Sequence, residues 1–249
     1  MAESLSPSRP PAKRRGQPVW WLAPDVTLVV FSLFVLYSAW EVLTHQVGHY
    51  QNYLSPYFSP DVAAWLGIPV LPAVFVAWVP LFFRASCYYY RREYYRGFFR
   101  DPAACAIPER ARGYRGETRF PLNLNNLHRF FLYLAIIVVV FLWKDAVAGF
   151  IFHGRFGIGL GSIILVADAV LLSLYTFSCH AFRHLVGGGS VCYSRPDGAP
   201  KVRWRLFSRV SALNRRHGLW AWSSMFMVWF TDLYIRLLIA GRIVDPRWF

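Results

Sequence analysis

The stretch SCHAFRH, residues 178–184, sets a thiol beside two imidazoles four positions apart. On a helix that spacing places His180 and His184 on one face, where both reach a single metal ion. The chain holds four cysteines and seven histidines. Cys87 and Cys179 each end an apolar run, His128 and His217 each begin one, and Cys105 and Cys192 follow in polar connections. Thiols and imidazoles in one set are the donors of a redox metal site. Whether they meet depends on the elements that carry them.

Composition constrains those elements. The residues are 56% apolar and 16% charged, whereas a soluble domain carries about 25% charged residues. The apolar residues come in blocks, and the 11 Trp and 14 Tyr suit side chains held at two lipid–water interfaces. The chain reads as an all-α integral membrane protein embedded in the lipid bilayer. Its net charge of +14 gathers in segments between apolar blocks, the pattern of the positive-inside rule, so no nucleic-acid partner is expected.

Five blocks are long enough to span, at about 20 apolar residues each. They lie at about 25–44, 68–90, 127–150, 158–185 and 217–240, and predict a bundle of five transmembrane helices. Residues 1–24 read as a disordered basic arm and 25–249 as the membrane domain. The arm, the 84–129 connection and the 183–216 connection hold 22 basic residues, against five on the other side. The N-terminus is therefore expected in the cytoplasm and the C-terminus outside. Segment 91–126 reads as an extension of the second helix out of the bilayer, with tyrosines and arginines at head groups or flooring a soluble partner. GGGSVCYSRPDGAP reads as a flexible loop.

This topology puts all four cysteines on the reducing side, where structural disulfides are rare. His128, His180, His184 and His217 share their level, while His45, His49 and His153 lie outside. Haem b would take two of the inner histidines from opposing helices, and a [2Fe–2S] cluster would use both donor types. Spacing does not choose between them. Asp145, Asp168 and Asp232 are charges within the spans. Asp145 and Asp232, with Glu41, read as interfacial, Asp168 as facing the interior, and the three aspartates together as a proton route. A cofactor-free transporter or scaffold is the alternative of another class, and the missing internal repeat argues against a transporter.

CYYYRREYYRGFFRDPAAC, RGETRFPLNLNNLHRFFLYLA, SCHAFRHL and LNRRHGLWAW resemble the membrane subunit of actinobacterial-type succinate dehydrogenases, relatives of the five-helix cytochrome b subunits. The likeness runs over about 220 residues, from the first helix to the DPRWF end. It implies a respiratory complex II in the bacterial plasma membrane, with a flavoprotein and an iron–sulfur subunit as partners, menaquinone as acceptor and room for a higher oligomer. It further implies a Rieske-type [2Fe–2S] cluster with Cys87, Cys105 and Cys179 as candidate sulfurs and His128, His180, His184 and His217 as candidate nitrogens. Two imidazoles in place of two thiolates raise a cluster's potential, which suits delivery to quinone. Cys192 matches nothing in that pattern.

Overall fold

The computed structural model describes residues 21–45, 48–61, 72–99, 122–187 and 199–248. The N-terminal arm up to residue 20, Cys105 and Cys192 lie outside them. Eight α-helices are formed among the described residues: α1 Leu22–Thr44, α2 Pro72–Ala85, α3 Tyr88–Phe99, α4 His128–Ala148, α5 Leu160–Phe177, α6 His180–Gly187, α7 Ala199–Asn214 and α8 His217–Ile239. Of these, α1, α4 and α5 are long and apolar enough to cross a membrane. Their outward faces are greasy: Leu33, Leu36, Ile137 and Val140 are each more than half exposed, as helices need when lipid is the solvent.

Two of the five apolar blocks depart from the sequence reading in the same way. The second breaks at Ser86–Cys87 and the fourth at Ser178–Cys179. At each break the serine N–H still reaches back four residues, Ser86 to Phe82 at 2.9 Å and Ser178 to Leu174 at 3.0 Å. The cysteine N–H then reaches back only three, to Arg84 and Thr176, and the cysteine carbonyl opens the next helix by accepting from Arg91 or Arg183. Serine hydroxyls bonding backward to helical carbonyls favour such bends. Ser86 Oγ donates to the Phe82 carbonyl at 2.6 Å and Ser178 Oγ to the Tyr175 carbonyl at 3.1 Å.

Helix α3 does not run free of the bundle. It lies antiparallel along the first third of α1, where Phe31 stacks on Tyr90 and Tyr94 at 5.2 and 5.8 Å. Gly97 permits the crossing, since a Cβ there would sit 3.1 Å from the Pro24 carbonyl oxygen. The loop reading of residues 187–200 is also corrected at its end, because α7 begins at Ala199. Asn214 at the end of α7 donates to the Ser178 carbonyl at 2.7 Å, tying that helix to the second break.

At the opposite end, α4 and α5 are joined by the β3–β4 hairpin (Ile151–Phe152 and Arg155–Phe156), turning through His153 and Gly154, both at positive φ. That pair of left-handed residues is what a two-residue hairpin turn requires. The first loop forms a matching ribbon, β1 (His49–Tyr50) with β2 (Tyr53–Leu54). The C-terminal segment closes over both. The buried Asp245 carboxylate accepts from Tyr53 and Tyr234, each at 2.7 Å, and from the Gly161 N–H at 2.9 Å. Burial, with the Asp245 carboxylate alongside, pushes the Tyr53 hydroxyl up to about 12, so it donates at every working pH. Asp245→Ala leaves the Tyr234 hydroxyl and the Gly161 N–H unpaired, while Tyr53 keeps the Ser162 hydroxyl at 3.3 Å, and should cost about 2 kcal/mol. A thermal melt of the detergent-solubilised protein checks this, and an unchanged midpoint would refute the lock.

Candidate metal centre

The two helix breaks bring their cysteines together with the two histidines that start α4 and α8. Cys179 Sγ lies 3.0 Å from His128 Nε2, and Cys87 Sγ lies 3.3 Å from His217 Nε2. The serines cross the same way. Ser86 Oγ is 2.9 Å from His128 Nδ1, and Ser178 Oγ is 2.7 Å from His217 Nδ1. Each imidazole is therefore held at one nitrogen by the serine of one dipeptide and meets, at the other, the cysteine of the second dipeptide.

Burial and packing fix this quartet. Both thiols are 2% exposed, and neither is in a disulfide. Each cysteine immediately precedes the first turn of a helix, and the Ala181 N–H points at Cys179 Sγ from 3.4 Å. Phe83 stacks on His128 at 4.7 Å and Tyr175 on His217 at 5.1 Å. Those two rings meet edge to face at 5.6 Å.

Arg84 underlies the site. It is 2% exposed and donates to the Tyr90 hydroxyl, the Ala221 carbonyl and the Ser224 hydroxyl at 3.1, 3.1 and 2.9 Å. Its guanidinium lies 4.5 Å from the Tyr175 ring centroid. Among the described residues no carboxylate stands within ion-pair distance of it. A cavity of about 250 Å³ adjoins, walled at this end by Phe83, Arg84 and Tyr175 and at the other by Ser38, Pro56 and Tyr57.

Other predicted ligands stand apart. His180 and His184 are exposed on α6 and face each other, Nε2 to Nε2 at 3.0 Å. No three Cys, His, Asp or Glu side chains among the described residues converge on one metal position. Of the acids, Asp168 is 1% exposed with Oδ1 unpartnered among the described residues, as a mid-helix interior position requires. The interfacial reading of Glu41 and Asp232 is corrected: they are 2% and 0% exposed. Arg236 bridges them, 2.7 Å from Glu41 and 3.7 Å from Asp232, while His45 reaches Glu41 at 3.2 Å and Tyr37 donates to Asp232 at 2.6 Å. Asp145 instead accepts from Ser59 at 2.5 Å and steadies the first loop.

Residues 22–241 match the family model described as actinobacterial succinate dehydrogenase subunit SdhC. The chain belongs to this family. It is a membrane subunit of succinate dehydrogenase, a component of an oxidoreductase that does not itself oxidise succinate. Among solved structures it is similar to a chain of the Mycobacterium smegmatis Sdh1 complex in the apo form, at 35% identity and a TM-score of 0.82, covering 98% of this chain and 97% of that one. No curated protein matches. Membership removes the transporter alternative.

Sequence reasoning missed Ser86, Ser178, Arg84 and Tyr175. The repeated Ser–Cys dipeptide and the arginine inside PLFFRASC were the available signals. The geometry separates two ligand sets. Cys87→Ser and Cys179→Ser should lower the metal content of purified succinate dehydrogenase by the same increment, while the His180→Ala/His184→Ala double variant keeps it. Loss in that double variant alone would return the ligand role to α6.

Proposed function

We propose that this subunit passes electrons from the iron–sulfur subunit of succinate dehydrogenase to a quinone, menaquinone being the acceptor that the family likeness suggests. The residues that would hold a Rieske-type [2Fe–2S] cluster are Cys87, Cys179, His128 and His217. The single observation that carries this reading is the crossed quartet of two buried thiols and two Nε2 atoms. The donor set fits the group: such a cluster takes two protein ligands on each iron, so no three donors need converge on one ion. Haem would use the two imidazoles alone and leave both buried thiols without a role. When bound, the cluster would carry one electron at a time towards quinone.

The chain's own residues supply the rest. The adjoining cavity is apolar with a few convergent polar groups, as ligand sites are. Tyr175 has a buried hydroxyl with no hydrogen-bond partner among the described residues, and it stacks on His217 on the way to the cavity wall. It is the donor for a quinone carbonyl, and the Arg84 guanidinium steadies negative charge growing on that oxygen. Protons would come through the outer group of Glu41, Arg236, Asp232 and Tyr37. There two buried acids share one guanidinium and meet the half-exposed His45. Asp168 stands between this group and Arg84 as a further carrier, whereas Asp145 belongs to the loop.

The subunit then crosses the plasma membrane five times, on α1, α2–α3, α4, α5 and α8. The N-terminus and the basic connections face the flavoprotein and iron–sulfur partners in the cytoplasm, in keeping with the 22 to five division of basic residues.

Two measurements test this function. Reduced-state electron paramagnetic resonance of the purified complex should show a [2Fe–2S] signal with nitrogen ligation that disappears in Cys87→Ser; a reduced haem band in its place would overturn the assignment. Tyr175→Phe should slow quinone reduction about tenfold by removing one buried donor, while succinate oxidation with an artificial acceptor continues. Equal loss of both activities would mean that the hydroxyl only holds the fold together.

A further inference from the structure

Serine carries one hydroxyl proton, and at both helix breaks the backbone has a use for it. Ser86 Oγ lies 2.6 Å from the Phe82 carbonyl oxygen, a short and well-placed donation. Ser178 Oγ lies 3.1 Å from the Tyr175 carbonyl, which in a continuous helix would accept from the Cys179 N–H. That N–H has turned to Thr176 instead, at 3.3 Å. Were the Ser178 proton given to His217, the Tyr175 carbonyl would be left without it in a buried place, at a cost of about 1–3 kcal/mol.

With its proton engaged, each hydroxyl offers only lone pairs to the imidazole beside it. His128 Nδ1 at 2.9 Å and His217 Nδ1 at 2.7 Å must then carry the ring hydrogen. A neutral imidazole with hydrogen on Nδ1 has its free lone pair on Nε2. Those are the two nitrogens that face Cys179 and Cys87.

We infer that Ser86 and Ser178 are positioning residues that fix both histidines in the Nδ1–H form, so that each presents Nε2 to the metal group. The inference rests on the proposed quartet and deepens it by naming the ligating atom and what selects it. The same two hydroxyls bend the chain that carries the sulfurs, so one pair of side chains sets both the position of the thiols and the form of the imidazoles. Outer partners of metal-bound histidines act in this way on ring orientation and ligand strength.

The experiment uses the intact succinate dehydrogenase complex with histidine labelled by nitrogen-15 at Nε2 only. Pulsed electron paramagnetic resonance of the reduced complex should show the directly bound nitrogens as nitrogen-15. Couplings that stay nitrogen-14 mean that Nδ1 is the ligand and overturn the inference. A complex with no bound-nitrogen coupling at all sinks the proposed cluster instead, which keeps the two failures distinct. Ser86→Ala and Ser178→Ala should each release iron to a ferrous chelator about tenfold faster, and Ser86→Thr and Ser178→Thr, which keep the hydroxyl, should restore wild-type retention. Release that is unchanged in both alanine variants, or that threonine fails to restore, would leave the serines as bend formers only and refute a positioning role. Retained succinate oxidation with an artificial acceptor shows that each variant still assembles.

Discussion

A helix interrupted at membrane depth must satisfy its freed backbone groups from within, because lipid supplies no partners. The Ser–Cys dipeptide answers this constraint twice in the same way. Its serine caps the incoming helix from behind, and its cysteine carbonyl starts the outgoing one. An unbroken α2–α3 or α5–α6 would carry its cysteine onward along a helix face. The breaks hold both thiols at the level where α4 and α8 begin, and there two first-turn histidines meet them. The site is a consequence of how two helices end.

Charge is distributed by the same rule. Arg84 would be intolerable in hydrocarbon alone, and it is kept by two hydroxyls, one carbonyl and an aromatic face, with no carboxylate partner among the described residues. Removing a carboxylate from its company leaves the guanidinium field directed at the cavity and at the quartet. At the other end the arrangement is reversed: two buried acids enclose Arg236, and Asp245 is held by two tyrosines and a backbone N–H. The inner end is thus left with unspent positive charge. The outer end is closed by negative groups that are fully engaged.

Much of this was legible beforehand. Block length predicted helices where α1, α4, α5 and α8 lie, and the residues of the proposed quartet, Cys87, Cys179, His128 and His217, stand among the candidates. The helix breaks were hidden, because FFRASCYYY and YTFSCHAF are apolar enough to continue and contain neither glycine nor proline at the bend. What bends them is a serine proton, and periodicity does not register it. The His180–His184 spacing drew attention for a sound reason, yet α6 turns that face outward. Adjacency on one helix says which donors can act together, but only the break at Ser178 decides which way they point. Glu41 and Asp232 were misread for a related reason: a charge near a helix end looks interfacial until Arg236 is found between the two.

The aromatic residues explain why the two ends can differ so sharply across so short a distance. Phe31, Phe83, Tyr90 and Tyr175 form one continuous packed group around the thiols, while Tyr53, Tyr234 and Ile235 anchor a second core under the C-terminal segment. The cavity is walled by members of the first group, among them Phe34, Val42, Tyr57, Phe83 and Tyr175. A ligand entering there would contact the wall of the inner core at Phe83 and Tyr175, whose rings already lie on the two imidazoles. Close packing transmits small displacements. Occupation of the cavity and the geometry of the quartet are therefore mechanically linked through two rings, without any polar group having to move.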